Sequence, residues 1–97
     1  MKKSEDFQKQ NRLILLFKVL ANANRFKIIK YLAGCGADGA TSGTIASAIG
    51  VSESNLSNHL KLMRISKVVS AKQQGSLMFY SIKDPLATEL LSSLNRR

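Results

Sequence analysis

The stretch TSGTIASAIGVSESNLSNHLKLMR, residues 41–64, decides the fold because it contains two short helical patterns separated by Gly50. Thr41 can cap the first helix and Ser52 the second, since a hydroxyl at this position accepts a hydrogen bond from a free backbone N–H. The first helix directs three residues inward: Ile45, Ala46 and Ile49. Two helices joined by so tight a turn cross at a steep angle, so we predict a helix-turn-helix over about residues 41–64.

The second helix of this pair has an unusual composition. Its apolar residues recur at helical spacing, and they are Leu56, Leu60 and Met63. Many of the remaining positions hold short polar side chains that are poor helix formers: Ser54, Asn55, Ser57 and Asn58. Hydroxyl and amide groups match the edges of DNA bases, and short side chains let a helix enter a major groove about 12 Å wide. We therefore expect this face to contact nucleic acid; the alternative is a solvated surface that happens to be rich in Ser and Asn.

The charge of the chain favours the same kind of partner. Its 97 residues include 15 Lys and Arg but 6 Asp and Glu, which gives a formal net charge of +9 and a pI near 10.1. Such an excess is typical of proteins with a polyanionic partner, most often nucleic acid and less often an anionic membrane surface. A basic protein without such a partner is the alternative. No stretch approaches the ~20 apolar residues of a membrane span, so we predict no membrane partner.

Length and cysteine content set the expected organisation. A chain of 97 residues without repeats or linkers predicts a single domain over residues 1–97. Cys35 is the sole cysteine, which excludes an intrachain disulfide and favours a reducing, cytoplasmic location.

Two further helices precede the central stretch. Residues 7–20 predict a first helix whose second half is apolar on nearly every face, so a second subunit is expected to cover part of it. Asn22 can cap a second helix over residues 23–33. The glycine-containing segment 35–40 then predicts a loop.

After the central stretch the pattern changes to strands and a last helix. Two β-prone runs around Gln74 and Gly75 predict a hairpin over about residues 68–82. Asp84 can cap a helix over about residues 85–95. Its expected inward residues are Leu86, Leu90, Leu91 and Leu94. The predicted fold is therefore mainly α with a small β-hairpin, in the order α-α-α-α-β-β-α.

Three segments together resemble the ArsR/SmtB-type family of winged helix-turn-helix repressors. They are NANRFKIIKYL (22–32), TIASAIGVSESNLSNHLKLMR (44–64) and VVSAKQQGSLMFYSI (68–82). The resemblance implies a dimer joined through its first helix, about 7–20, and its last, about 85–95. It also implies that the hairpin is a wing and that the dimer binds a near-palindromic operator. Two recognition helices related by a two-fold axis would enter successive major grooves roughly 34 Å apart.

The same resemblance, together with the polar face, predicts which residues contact duplex DNA. Base or near-base contacts are expected from Ser54, Asn55, Ser57 and Asn58, and phosphate contacts from Lys61 and Lys72. The predicted interface also includes His59, Arg64, Gln73 and Ser76. Because Gln73, Gln74 and Ser76 stand where relatives commonly have Arg, the wing is expected to contribute less to affinity.

The family's metal-sensing residues are replaced in this chain. Thr41, Ser42 and Gly43 occupy the positions of its Cys-Val-Cys motif, and Leu86 replaces the His that follows Asp84 in its other site. Borderline metals such as zinc need several thiolate, imidazole or carboxylate ligands. We therefore predict a regulator without a metal or other cofactor. No nucleophile and base pair is visible either, so no enzymatic activity is predicted.

Cys35 and His59 each allow two interpretations. Cys35 could form a mixed disulfide or a sulfenic acid if its thiolate is accessible, but an ordinary loop thiol is the simpler interpretation. His59 could make binding respond to pH, whereas an orienting hydrogen bond or a phosphate contact is the expected role.

The sequence thus favours a homodimeric, sequence-specific DNA-binding transcriptional repressor. One alternative is an architectural protein that coats DNA without specificity, for which the charge alone would suffice. The other is a winged-helix module that presents its recognition helix or its first helix to a protein partner.

Overall fold

A computed structural model describes residues 2–95, which form five α-helices and one three-stranded sheet. In chain order the elements are α1 (Lys2–Leu20), α2 (Ala23–Cys35), a 3₁₀ turn (Gly36–Asp38), β1 (Ala40–Thr41), α3 (Ser42–Ile49), α4 (Glu53–Ile65), β2 (Val69–Gln74), β3 (Leu77–Ile82) and α5 (Pro85–Asn95). The predicted winged helix-turn-helix order is confirmed, with α3 and α4 as the helix pair and β2 and β3 as the hairpin. Residues 1, 96 and 97 of the predicted domain lie outside the described residues.

Side-chain caps fix where the central helices begin. The Ser52 hydroxyl accepts a hydrogen bond from the Asn55 N–H at 3.1 Å, and Thr41 caps α3 in the same way through the Thr44 N–H. Between the two helices, Gly50 has a φ of 76°, a left-handed conformation that glycine adopts without a Cβ clash. The predicted caps and the tight turn are therefore confirmed.

The hydrophobic core lies between the five helices and the helix-facing side of the sheet. Each of α1, α2 and α4 contributes three fully or nearly fully buried residues: Leu16, Val19 and Leu20; Ile28, Ile29 and Leu32; and Leu56, Leu60 and Met63. The remaining core residues come from β1, α3, the start of the hairpin and α5: Ala40; Ile45 and Ala46; Val68 and Val69; and Ala87 and Leu91. At about 25 cal/mol per Å² of apolar surface, this burial is the main stabilisation that a chain of this size has.

The sheet has one more strand than the predicted hairpin. β3 is central, pairing with β2 from Gln74↔Leu77 to Val69↔Ile82 and with β1 through Ala40↔Tyr80. β1 can approach β3 because Gly39 has no Cβ, which in any other residue would collide with the Tyr80 carbonyl oxygen. Gly39 also adopts a φ of 70°, which glycine tolerates. The hairpin turn consists of Gly75 and Ser76 rather than Gln74 and Gly75, since Gln74 still pairs across the hairpin.

Segment 35–40 is more ordered than the predicted loop. Cys35 is the last residue of α2, and residues 36–38 form the 3₁₀ turn before β1. The two glycines that suggested a loop, Gly36 and Gly39, instead take positive φ values that turn the chain from the helix into the strand.

The terminal helices also differ from their predicted extents and faces. α1 begins at Lys2 instead of near residue 7. The first residues of the helix are polar and have no apolar stripe, so the sequence pattern did not reveal them. In α5 the small Ala87 is buried and Leu94 is 60% exposed, so its inward face is rotated from the predicted one. Within residues 2–95, no helix is both long enough and apolar enough to cross a membrane.

Candidate nucleic-acid interface

α4 presents a polar surface to solvent between residues 54 and 61, and the exposed apolar residues Leu62 and Ile65 lie toward its C-terminal end. Leu56 and Met63 are completely buried and Leu60 is 2% exposed, so these three anchors fix which way the helix faces. The side chains between them form what we call the polar face, and all are exposed: Ser54, Asn55, Ser57, Asn58 and Lys61. Ser54, Asn58 and Lys61 follow helical spacing on the side opposite the anchors, while Asn55 and Ser57 lie on its two edges. The arrangement places short donors and acceptors on a rigid helix.

The N-terminal end of α4 carries an acidic residue that the sequence reasoning did not assign. Ser42 of α3 donates a hydrogen bond from its hydroxyl to Oε1 of Glu53 at 3.5 Å, and the same carboxylate lies against Gly43. A carboxylate in a first helical turn is favourable because it faces the positive end of the helix dipole. Glu53 is thus drawn toward α3 and away from the polar face. A Glu directly after a Ser cap was the available sequence signal.

The wing places its predicted residues around its tip. Lys72, Gln73 and Ser76 are exposed, and the Gln73 side-chain amide donates a hydrogen bond to the Gly75 carbonyl oxygen at 3.2 Å. The Gln73 amide therefore stabilises the turn with one of its N–H groups. The next residue, Leu77, is 53% exposed, so the tip contains an apolar side chain and no arginine.

His59 differs from the other predicted contact residues because it is half-buried. Burial lowers the pKa of the His59 imidazole below its usual 6.5, and the nearby Arg25 guanidinium lowers it further. Arg25 is held in place by a 2.7 Å hydrogen bond from its Nε to the Val19 carbonyl oxygen. His59 is consequently neutral at pH 7 and lies between the core and the edge of the polar face. Arg25 is a cation beside α4 that the sequence could not place.

The predicted contact residues therefore fall into two groups. Seven belong to α4: Ser54, Asn55, Ser57, Asn58, His59, Lys61 and Arg64. Lys72, Gln73 and Ser76 belong to the hairpin, and like all the α4 residues except His59 they are exposed. The structure makes nine of these ten side chains accessible; which of them contact DNA stays a prediction.

Cys35 lies away from both groups. Its Sγ donates a hydrogen bond to the Tyr31 carbonyl oxygen at 3.4 Å, and the thiol is half-buried. Burial raises the pKa of the Tyr31 hydroxyl, with a smaller contribution from Cys35 beside it. Across residues 2–95, no three His, Cys, Asp or Glu side chains lie close enough together to hold a metal ion.

α1 exposes a second surface, of the opposite chemistry. Four large apolar side chains face solvent, which we call the apolar face of α1: Phe7, Ile14, Leu15 and Phe17. Each is at least 44% exposed, although Leu16, Val19 and Leu20 of the same helix are buried. A helix with apolar residues on both sides has a second surface to cover, as the sequence predicted.

Comparison with known proteins gives consistent matches. A family model described as a helix-turn-helix domain matches residues 20–69. An uncharacterized HTH-type transcriptional regulator of Mycobacterium tuberculosis, Rv0081, is 37% identical over 76 residues, which cover 78% of this chain and 65% of the relative. The transcriptional repressor SdpR of Bacillus subtilis is 30% identical over 80 residues, or 82% of each chain. The chain thus spans just under two thirds of the length of the mycobacterial relative.

Among solved structures, one similar fold belongs to Mb0332 of Mycobacterium bovis. It is described as a homodimeric winged helix-turn-helix DNA-binding domain of a possible ArsR-family transcriptional regulator. Its TM-score is 0.76 at 22% identity, over 92% of this chain and 80% of that one. At this identity the match establishes the shared fold.

Proposed function

Since the chain belongs to the helix-turn-helix domain family, and its predicted resemblance to ArsR/SmtB-type regulators is confirmed, we propose that it is a sequence-specific transcriptional repressor. It binds duplex DNA as a homodimer, with α4 in the major groove and the β2–β3 hairpin as wing. The relatives that carry a functional name are transcriptional regulators, one of them a repressor. We expect the protein to catalyse no reaction and to be located in the cytoplasm.

The observation that carries this proposal is the polar face of α4. Ser and Asn lower intrinsic helix stability by a few tenths of a kcal/mol each relative to good helix formers, so an idle surface gains nothing from them. Buried anchors hold the helix in spite of this composition. Asn55 and Asn58 each present a carbonyl and an amide in the geometry that suits the N6 and N7 edge of adenine. Ser54 and Ser57 complete the proposed base-proximal set.

Electrostatics supplies the sequence-independent part of the binding. The formal net charge of +9 attracts the phosphate backbone, and each cation that reaches a phosphate releases a counterion. We assign Lys61 on α4 and Lys72 on the wing to such contacts, because both side chains are exposed and lie on the two elements proposed to enter or flank the DNA grooves.

The apolar face of α1 supports dimer formation. We propose that it is covered by the same face of a second chain, with α5 contributing through the exposed Leu94. The homodimeric state of Mb0332 is consistent with this arrangement. A two-fold axis would relate the two α4 helices and require a near-palindromic operator with half-sites roughly 34 Å apart. In the proposed domain of residues 1–97, dimerisation is thus assigned to helices about 7–20 and 85–95, and DNA binding to 41–64 and 68–82.

The decisive experiment is selection of bound duplexes from a random pool. The purified chain is incubated with the pool at about 150 mM salt, and the enriched sequence is compared with a scrambled duplex by fluorescence anisotropy. We expect a near-palindromic sequence bound about a thousandfold more tightly than the scrambled one. Equal affinity for both duplexes would favour the architectural alternative. No binding at moderate salt would overturn DNA recognition and favour a protein-interaction module.

A further inference from the structure

A groove of about 420 Å³ runs between α4 and the sheet, on the wing side of the polar face. We call it the α4–β3 groove. It is lined by Ser57, Leu60, Lys61, Arg64, Ile65 and Tyr80. Tyr80 belongs to the central strand of the sheet, and the other five residues belong to α4.

One wall of this groove is cationic. Ser57, Lys61 and Arg64 are spaced at i, i+4 and i+7, so their side chains follow one side of the helix. All three are exposed, and none of the six lining residues is acidic. Leu60 forms an apolar floor that is buried in the core. A hydroxyl, an ammonium and a guanidinium on one wall suit an anion with several oxygen acceptors.

The opposite wall is formed by Tyr80. Its backbone is fixed on both sides, because β3 pairs with Ala40 of β1 and Ala71 of β2 at this position. Its ring packs against the hydrophobic core, while the side chain stays partly accessible. Among the side-chain hydrogen bonds formed within residues 2–95, none involves the Tyr80 hydroxyl. A rigidly held phenol with a free O–H is thus available as a donor to a ligand in the groove.

The position of the groove relative to the polar face identifies the anion. An α-helix with its side chains is about 10–12 Å across, and the major groove is about 12 Å wide. A helix that fills this groove therefore has one sugar-phosphate strand along each of its two edges. The wing-side edge of α4 is the wall that contains Ser57, Lys61 and Arg64.

We propose that the α4–β3 groove binds the phosphodiester backbone of one DNA strand, with Arg64 and Lys61 neutralising phosphates and the Ser57 and Tyr80 hydroxyls donating to phosphate oxygens. This proposal rests on the proposed DNA-binding function and deepens it. It adds Tyr80 to the interface and changes the role of Ser57 from base contact to phosphate contact. Specificity then rests mainly on Ser54, Asn55 and Asn58.

The test compares matched pairs of variants on the selected duplex and on a scrambled one. The chain contains two tyrosines, so Tyr80→Phe is paired with Tyr31→Phe, which lies outside the groove. Arg64→Gln and Lys61→Gln are paired with Lys83→Gln, an exposed lysine directly after β3 that does not line the groove. Anisotropy gives the Kd over a range of salt concentrations, and thermal melting shows that each variant is folded.

Tyr80→Phe should weaken both duplexes about five- to tenfold, because it removes a hydrogen bond to a charged oxygen without removing a charge. Arg64→Gln and Lys61→Gln should weaken both duplexes and lower the salt slope by about one per protomer. The control variants should change affinity less than twofold. Single phosphates of the duplex are then replaced by neutral methylphosphonates. At the phosphate that Arg64 contacts, Arg64→Gln should cause no further loss of affinity.

Three outcomes would overturn the groove assignment. In the first, the wild type selects a sequence, yet Tyr80→Phe and Arg64→Gln lose no more affinity than their controls. The proposed DNA-binding function would then hold without the groove. In the second, Tyr80→Phe weakens the selected duplex only, which identifies a base contact. In the third, Arg64→Gln loses as much affinity on every methylphosphonate-substituted duplex as on the unmodified one, which shows that Arg64 does not contact a phosphate. Failure of the wild type to bind any duplex would overturn the groove and the proposed function together.

Discussion

α1 and α4 are anchored in the same way but expose opposite chemistry. Each has three buried or nearly buried apolar residues that hold it against the core. On the outer side, α1 exposes large apolar side chains such as Phe17, whereas α4 exposes short polar ones such as Asn58. Because the inner faces already secure the fold, the outer faces are free to differ. The difference indicates two kinds of partner, a second chain for α1 and DNA for α4.

Removing a buried anchor of α4 should have the largest effect. Leu56 is completely buried, and Leu56→Ala should lower the free energy of unfolding by about 2–5 kcal/mol through lost burial and a residual cavity. Urea denaturation measures the loss. Leu62→Ala is the matched control, since Leu62 on the same helix is 40% exposed. A loss as large for the control as for Leu56→Ala would contradict the assignment of the anchors.

The apolar face of α1 gives the next largest effect. Phe17 is 54% exposed, so Phe17→Glu should leave the fold of one chain intact while placing a charge in the proposed dimer interface. Light scattering should show a monomer, and affinity for the selected duplex should fall about 100-fold because two half-sites are no longer bound together. Lys18→Glu changes charge at the neighbouring exposed position and serves as control. A variant that stays dimeric would place the interface elsewhere.

Replacing Asn58 tests whether the polar face of α4 recognises bases. Asn58→Ala should cost about 1–3 kcal/mol on the selected duplex and relax the preference at particular base pairs. The exposed Asn55 is the second candidate for such an effect. Anisotropy on single-base variants of the selected duplex measures both. If Asn58→Ala lost the same affinity on selected and scrambled DNA, the polar face would not be reading bases.

The wing is expected to contribute less than α4. Lys72→Ala should weaken all sequences alike, by less than about 1 kcal/mol, and should lower the salt slope by about one per protomer. Gln73→Ala, which removes no charge, separates the electrostatic effect from a loosened turn. A change in sequence preference after Lys72→Ala would show that the wing reads bases.

These two helices also show how much of the molecule the sequence could predict. The anchors of α4, its Ser52 cap and the second apolar surface of α1 follow from local spacing, so they could be predicted. β1 could not, because it depends on Gly39 letting the chain approach Tyr80, which lies far away in the sequence. The α4–β3 groove was missed for a related reason. In the strand pattern Tyr80 is indistinguishable from a core aromatic, and the position of its hydroxyl depends on how the hairpin packs against α4.

The smallest expected effect concerns the edge between the core and the polar face, where His59 lies. Its pKa in the folded chain is lowered from 6.5 by burial and by Arg25, so the unfolded chain binds the proton more readily. Stability is therefore complete above pH 6.5 and decreases as the pH falls below it. The chain has one histidine, and carboxylates titrate nearer pH 4, so this window reports mainly on His59. Urea denaturation between pH 7.5 and about pH 5.5 should show the decrease in the wild type and a flatter profile in His59→Gln. An equal slope in both proteins would mean that His59 titrates as it does in the unfolded chain, and that the edge of the polar face is more open to water than the anchors of α4 imply.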